Sequence, residues 1–204
     1  RQIPLVVLNR AVKDNRIVNI VPDDYKGAYD AVRYLVGCGH RRIGIIEGKT
    51  GFHSSRLRAA GFRDAIRESG IDPPEELRAI GNYDMKSGYE AMNALLERAH
   101  PTAVFCCNDD MAVGAMKAAA DRGLSVPQDI SLIGFDDNPF ASYVTPALTT
   151  VRRPIEEMSR TGAERLLQML DRQANGRQSV MIEPELIVRG SVRPLQMIEG
   201  VNKE

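Results

Sequence analysis

Residues 129–154 read DISLIGFDDNPFASYVTPALTTVRRP. Ile130 to Phe135 is a largely apolar run of the length expected for a buried strand. Asp136, Asp137, Asn138 and Pro139 stop it, and a second extended run is predicted from Leu148 to Val151, closed by Arg152, Arg153 and Pro154. Carboxylates just past the carboxyl end of a buried strand stand where open α/β sheets receive ligands. The stretch therefore predicts a sheet with a ligand site, and a chain that passes on to another lobe after it.

Upstream, apolar runs and helical stripes alternate. Leu5–Leu8 and Ile17–Val21 read as strands, and Asp23 and Asp24 can cap a helix with Ala28, Ala31, Val32 and Leu35 inward, stopped by Gly37 and Gly39. Strands follow at Ile43–Ile46, Arg78–Tyr83 and Ala103–Cys107. Between them, helices are expected from Ser54 to Ser69, from Asp84 or Ser87, and from Asp109 to a stop at Gly123. This rhythm with nearly unbroken apolar strands calls for a parallel sheet covered by helices on both faces. Beyond Pro154 one more helix is expected, Ile155 to Leu170, ending near Gly176. The last extended stretch, Val180 to Val192, is broken by Pro184, which predicts an edge strand or a crossing segment.

The totals narrow the classes. The chain has 204 residues, 43% hydrophobic, with Lys plus Arg equal to Asp plus Glu at 27 each. No net basic field recruits nucleic acid, and no apolar run approaches membrane-spanning length. Cys38, Cys106 and Cys107 form neither a disulfide framework nor a zinc spacing, which suits a reducing compartment. Gly44 and Gly48 are one residue too close for a phosphate loop ending in Lys49 and Thr50. No nucleophile elbow is present, and His40, His53 and His100 have no partner in the sequence. Asp109, Asp110, Asp136 and Asp137 could build a metal site, but capping and polar ligand contacts explain them as well. No cofactor or metal is expected.

What remains is a set of polar groups at successive strand ends: Ser54 and Arg58, Tyr83, Asn108 and Asp109, Asp136 and Asp137. In a parallel sheet these ends share one edge and converge on one cleft. A guanidinium, a carboxylate, an amide and an aromatic face suit a neutral polyhydroxylated molecule. Three or four charge-assisted bonds at roughly 1.5–3 kcal/mol each would support micromolar affinity, about −8 kcal/mol. The competing reading is an internal Arg58–Asp136 ion pair with Tyr83 in the core.

The strings VPDDYKGAYDAVRYLVGCGHRRIGII, SSRLRAAGF, CCNDDMAVGAM and VPQDISLIGFDDNPFASYVTPALTTVRRP resemble the effector-binding domain of the lac/gal repressor family. The resemblance runs from about Ile3 to about Arg193. It implies a type I periplasmic-binding-protein-like α/β fold: two lobes joined by three crossovers near Ile20–Asp23, Thr150–Pro154 and Ile182–Glu185. Residues 1–21 and 153–183 would be an incomplete amino-terminal lobe, 22–152 and 184–195 the carboxyl-terminal lobe, and 196–204 a tail. It further implies effector contacts by Arg58 in RxxGF, Asp136 in IGFDD, Asn108, Tyr83 and Ser54, with Asn9 offered by the other lobe. Met111, Val113 and Tyr143 would meet a second copy across a homodimer interface. The implied function is a cytoplasmic regulator whose effector, sugar-like or else a purine, controls operator binding by a DNA-binding part absent from this sequence. The alternatives are an extracytoplasmic sugar-binding component of a transporter on the same fold, and an enzyme on a doubly wound sheet, which lacks a base–nucleophile pair here.

Overall fold

A computed structural model describes residues 3–72, 75–171 and 178–195. The expected helix stop at Gly176 and the tail 196–204 lie outside the described residues. Strands β1 (Leu5–Leu8), β2 (Ile17–Pro22) and β8 (Val180–Ile182) form a parallel sheet in the order β1-β2-β8. A six-stranded sheet has the order β4-β3-β5-β6-β7-β9, from β3 (Ile43–Glu47), β4 (Arg78–Ile80), β5 (Ala103–Cys106), β6 (Ser131–Asp136), β7 (Thr149–Arg152) and β9 (Glu185–Ile187). All of its pairs are parallel except β7 with β9. The stretch 180–192 is thus a crossing segment that also supplies edge strands: Pro184 separates β8 in one sheet from β9 in the other.

Every residue of β3 and β5 is buried, which requires cover on both faces of the large sheet. Helices α1 (Asp24–Gly37), α2 (His53–Glu68), α3 (Met85–Arg98) and α4 (Asp109–Asp121) provide it, α1 packed on α2 and α3 on α4. Each helix presents an apolar stripe inward, such as Ala28, Ala31, Val32 and Leu35 on α1. Glycines set how closely the pairs approach. A side chain at Gly61 would meet the Tyr25 carbonyl at 2.3 Å, and one at Gly88 the Met111 carbonyl at 2.3 Å. Helix α5 (Ile155–Leu170) covers the small sheet, with a separate core of Val18, Ile20, Met158 and Ile182.

Strand β6 begins one residue later than its apolar run suggests and ends on Asp136 itself, so the first acid is the last rung of the ladder, paired with Arg152. The three crossings between the sheets run side by side. Asp23 N–H donates to the Ile182 carbonyl at 2.9 Å. Gly27, in the first turn of α1, lies so close to Pro184 and Val151 that a methyl group there would approach them to 2.7 and 3.0 Å.

One expected interface residue is placed otherwise. Met111 is fully buried, packed against Gly81 and Gly88. Its sulfur fills the space beside Gly81, so it serves the α3–α4 contact and offers no surface to a partner in this conformation. Val113 is half-buried and Tyr143 is 85% exposed.

The close helix contacts give a direct test. A Cβ at Gly114 would stand near the Met85 carbonyl, whereas one at Gly37 meets nothing within 4 Å. Gly114→Val should cost about 3 kcal/mol or more through backbone displacement. Gly37→Ala should be neutral or stabilising by up to about 1 kcal/mol. Urea unfolding of the two variants against the parent checks both, and equal stabilities would refute the packing.

Candidate functional site

The large sheet reverses its strand order at β3, which pairs β4 on one side and β5 on the other. Crevices at such reversals, outside the carboxyl ends of the strands, are where doubly wound sheets place ligands. Arg58 reaches this edge from α2. Its side chain is only 5% exposed. Nε and Nη2 both engage Asp24 Oδ1, at 2.8 and 2.7 Å, and Nη1 donates to the Cys107 carbonyl at 2.5 Å. The guanidinium carbon lies 3.6 Å from the centre of the Phe135 ring, a cation–π contact. Asp136 Oδ1 is 3.6 Å from Nη1. The internal ion pair of Arg58 is therefore with Asp24 first, and Asp136 stands beside it as a second carboxylate. Burial opposes the charge on Arg58, but Asp24 and Asp136 hold it protonated.

Asp136 has φ +122° and Asp137 φ +55°. Side-chain-bearing residues adopt such backbone angles only where the surroundings over-determine them, and they gather at ligand sites. Asn9 at +64° and Tyr83 at +66° share the property. Three of the five described non-glycine residues with positive φ, Asn9, Tyr83 and Asp136, are thus among the expected effector contacts. Burial raises the Asp136 carboxyl, countered by Arg58 and then Arg153. Arg153 Nε is 2.9 Å from Asp136 Oδ1, so both cations stand on one oxygen.

Tyr83 lies edge-on to Phe52, ring centres 5.8 Å apart, and its ring fits over Gly48, where any side chain would collide with it. Its hydroxyl is buried and makes no hydrogen bond, and burial raises the phenol. Half-buried Ser54 is close to this ring. Asn108 is committed to the backbone: its oxygen caps α4 by accepting from Met111 N–H at 3.0 Å, and its amide donates to the Tyr83 carbonyl at 3.1 Å. Its visible role is to hold Tyr83 in place. Asn9 is exposed and accepts from Arg153 at 3.1 Å.

Three residues take roles here that differ from the reading of their local sequence. Asp24 reads as a helix cap, yet the cap of α1 is Asp23, which accepts from Lys26 N–H, and this leaves Asp24 for Arg58. Asp109 is fully buried and accepts from Thr150 Oγ1 at 2.5 Å and Asn138 N–H at 2.7 Å. Gly134 makes room for it, since a Cβ there would lie 2.3 Å from its oxygen. Arg153, read only as part of a crossover, joins Asp136 to Asn9. Asp137 takes Arg152 and Arg189, each at 2.7 Å. A cavity of about 670 Å³ opens on the far side of Asp136, lined by Asn138, Arg153, Pro154 and Arg160 among others, and Arg58 and Tyr83 do not reach it. Among the described residues no group of three or more His, Cys, Asp or Glu is placed to hold a metal ion.

A family profile described as periplasmic binding protein-like domain matches residues 32–192. A solved sugar-binding transcriptional regulator of the LacI family from Escherichia coli, complexed with phosphate, is 37% identical with a TM-score of 0.85, over 94% of this chain and 69% of that one. The chain belongs to the LacI family of transcriptional regulators, that is, the lac/gal repressor family, and carries its periplasmic-binding-protein-like domain. A LacI family regulator from Enterococcus faecium with bound ribose is 28% identical with a TM-score of 0.84, covering 95% of this chain and 72% of that one. The probable HTH-type transcriptional repressor ExuR of Bacillus subtilis (strain 168) is 47% identical over 196 residues, 96% of this chain and 59% of the relative. The chain thus spans about three fifths of the length of that curated relative.

Asp109 supplies a pH test. Burial pushes its carboxyl up to about 7, against the pull of the two hydrogen bonds it accepts. A carboxyl raised on folding adds stability below its ordinary value of 3.8, and that contribution is lost as pH rises towards 7. Thermal unfolding should therefore show the parent losing stability relative to Asp109→Asn between about pH 4 and 7. Parallel pH profiles would refute the assignment.

Proposed function

We propose that this domain is the effector-binding and dimerisation part of a bacterial DNA-binding transcription regulator, with a sugar-like effector at the strand ends. The observation that carries this reading is the buried Arg58, locked by Asp24, the Cys107 carbonyl and Phe135, beside Asp136 on a strained backbone. Among the described residues both cations stand on Oδ1 of Asp136 and no donor occupies Oδ2. That oxygen is left to accept a hydroxyl, with Tyr83 and Ser54 beside the same crevice and Asn9 opposite. A carboxylate oxygen of this kind selects a hydrogen-bond donor, which a polyol supplies and an apolar ligand does not.

Family membership supports a regulatory reading over a transport or a catalytic one, because the relatives are described as transcriptional regulators, one of them as a probable repressor. The effector would favour one arrangement of the two sheets and so alter operator binding by a DNA-binding part elsewhere in the protein, with a coupling of roughly 1–3 kcal/mol. Such a regulator acts in the cytoplasm. Ribose and phosphate, bound by the two solved relatives, support a polar oxygen-rich effector here, which favours a sugar over a purine. Val113 and Tyr143 are the candidates for the dimer contact.

Calorimetry with neutral pentoses, hexoses and disaccharides should find one class that binds near the micromolar range. Asp136→Asn should weaken it at least roughly tenfold, the loss of one charge-assisted bond. If that variant binds every sugar as the parent does, Asp136 is not an effector group.

Tyr143 is the exposed aromatic of the β6–β7 connection, and aromatic residues are enriched at interface centres. Tyr143→Asp should convert dimer to monomer in sedimentation experiments, with a shift of 2 kcal/mol or more in association free energy, the order found for hot spots. A dimer of unchanged affinity would place the contact elsewhere.

A further inference from the structure

Arg153 occupies the short link between β7 and α5, where the chain leaves the six-stranded sheet for the helix that covers the three-stranded one. Its guanidinium has two arms. Nε lies 2.9 Å from Asp136 Oδ1, at the end of β6. Nη1 donates at 3.1 Å to Asn9 Oδ1, in the residue after β1. One side chain therefore spans both sheets next to the cleft acid. Arg152, its neighbour, behaves differently. It turns to Asp137 at 2.7 Å and Glu185 at 3.5 Å, which both belong to the large-sheet side of the crossing. Arg152 secures the strand within one sheet, while Arg153 reaches across.

The two arms are not equally satisfied. The Nε of Arg153 is buried and makes no hydrogen bond, so its approach to Asp136 is an ion pair out of hydrogen-bond alignment. Alignment would need a small relative movement of the sheets or of the side chain. Both anchor residues hold positive φ angles, +64° at Asn9 and +122° at Asp136, so neither backbone relaxes freely to follow such a movement. The Asn9 arm ends on a neutral amide, the weaker acceptor, and is the one expected to release first.

We propose that Arg153 is a positioning residue, a two-armed tether that couples the pose of Asp136 to the separation of the two sheets. Its regulatory meaning rests on reading Asp136 as an effector group, whereas the tether itself does not. A sugar that draws on Asp136 changes the partner of one arm, and the other arm transmits the change to the small sheet through Asn9.

The test measures sheet separation in sugar-free protein by pulsed electron spin resonance. Nitroxide labels go on exposed positions of α2 and α5 through Arg63→Cys and Glu164→Cys, in a background with Cys38→Ser. The parent is expected to show one narrow distance. Arg153→Gln and Asn9→Ala should each broaden or displace it, and the double variant should do no more than the larger single change. Asn9 is exposed, so Asn9→Ala remains informative if Arg153→Gln fails to fold. Unchanged distances in both single variants, or additive effects in the double one, would overturn the tether. Calorimetry with D-ribose, D-glucose and cellobiose reads the other premise separately. Altered distances in Arg153→Gln, together with sugar binding unaffected by Asp136→Asn, would keep the tether and discard the effector role of Asp136.

Discussion

The interaction on which the site depends is the enclosure of the Arg58 guanidinium. Removing such an ion from water costs several kcal/mol, and a single partner rarely recovers that. Here Asp24, the Cys107 carbonyl, the Phe135 ring and Asp136 surround it together. These partners come from α1, the residue after β5, and β6, while the arginine comes from α2. One buried charge therefore fixes two helices and two strand ends relative to each other. Apolar residues of similar volume would serve packing equally well. What the buried charge adds beyond packing is a fixed orientation of the guanidinium at the strand ends.

Around that charge, acids are sorted by environment. Asp109 is walled in by Gly134 and accepts from the crossover residue Thr150 and from Asn138. It braces the loop that bears Asp136 and Asp137. Asp137 is held between Arg152 and Arg189. The Asp136 carboxylate instead takes two cations on Oδ1, and its φ of +122° is the largest among the described non-glycine residues with positive φ. Adjacent residues of identical type thus divide: Asp137 is clamped between two arginines, while Asp136 ends the β6 ladder beside Arg58 and Arg153. The crossings run beside this cluster, with Gly27 pressed against Val151 and Pro184, so the site and the connections between the sheets are mechanically one unit.

Much of this was legible in the order of residues. Fully apolar strands at Ile43–Ile46 and Ala103–Cys106 demand cover on both faces, and the alternation with helices demands parallel pairing. Arg58 and Asp136 were readable as candidates because polar residues after buried strands have few other places to go. Met111 is buried for a geometric reason that its residue type does not announce. On a helix, residues two apart point in nearly opposite directions, so Met111 and Val113 cannot both lie at the centre of one surface. Met111 is drawn under α3 by the space that Gly81 and Gly88 leave. The competing ion-pair reading was right in kind, since Arg58 is paired internally, but its first partner is Asp24 rather than Asp136.

The sequence by itself determined the elements, the parallel sheet with its ligand edge, and the family, because periodicity and short motifs are local properties of the chain. Only the tertiary structure decided who pairs with whom. Asp24 and Arg58 are 34 residues apart, and Arg153 and Asn9 are 144 apart. No spacing rule reaches across such distances; the strand order that brings β1, β6 and β7 to one crossing does. The stretch from Asp129 to Pro154 therefore announces an acid and a crossover, while folding supplies the partners that turn them into a cleft and a tether.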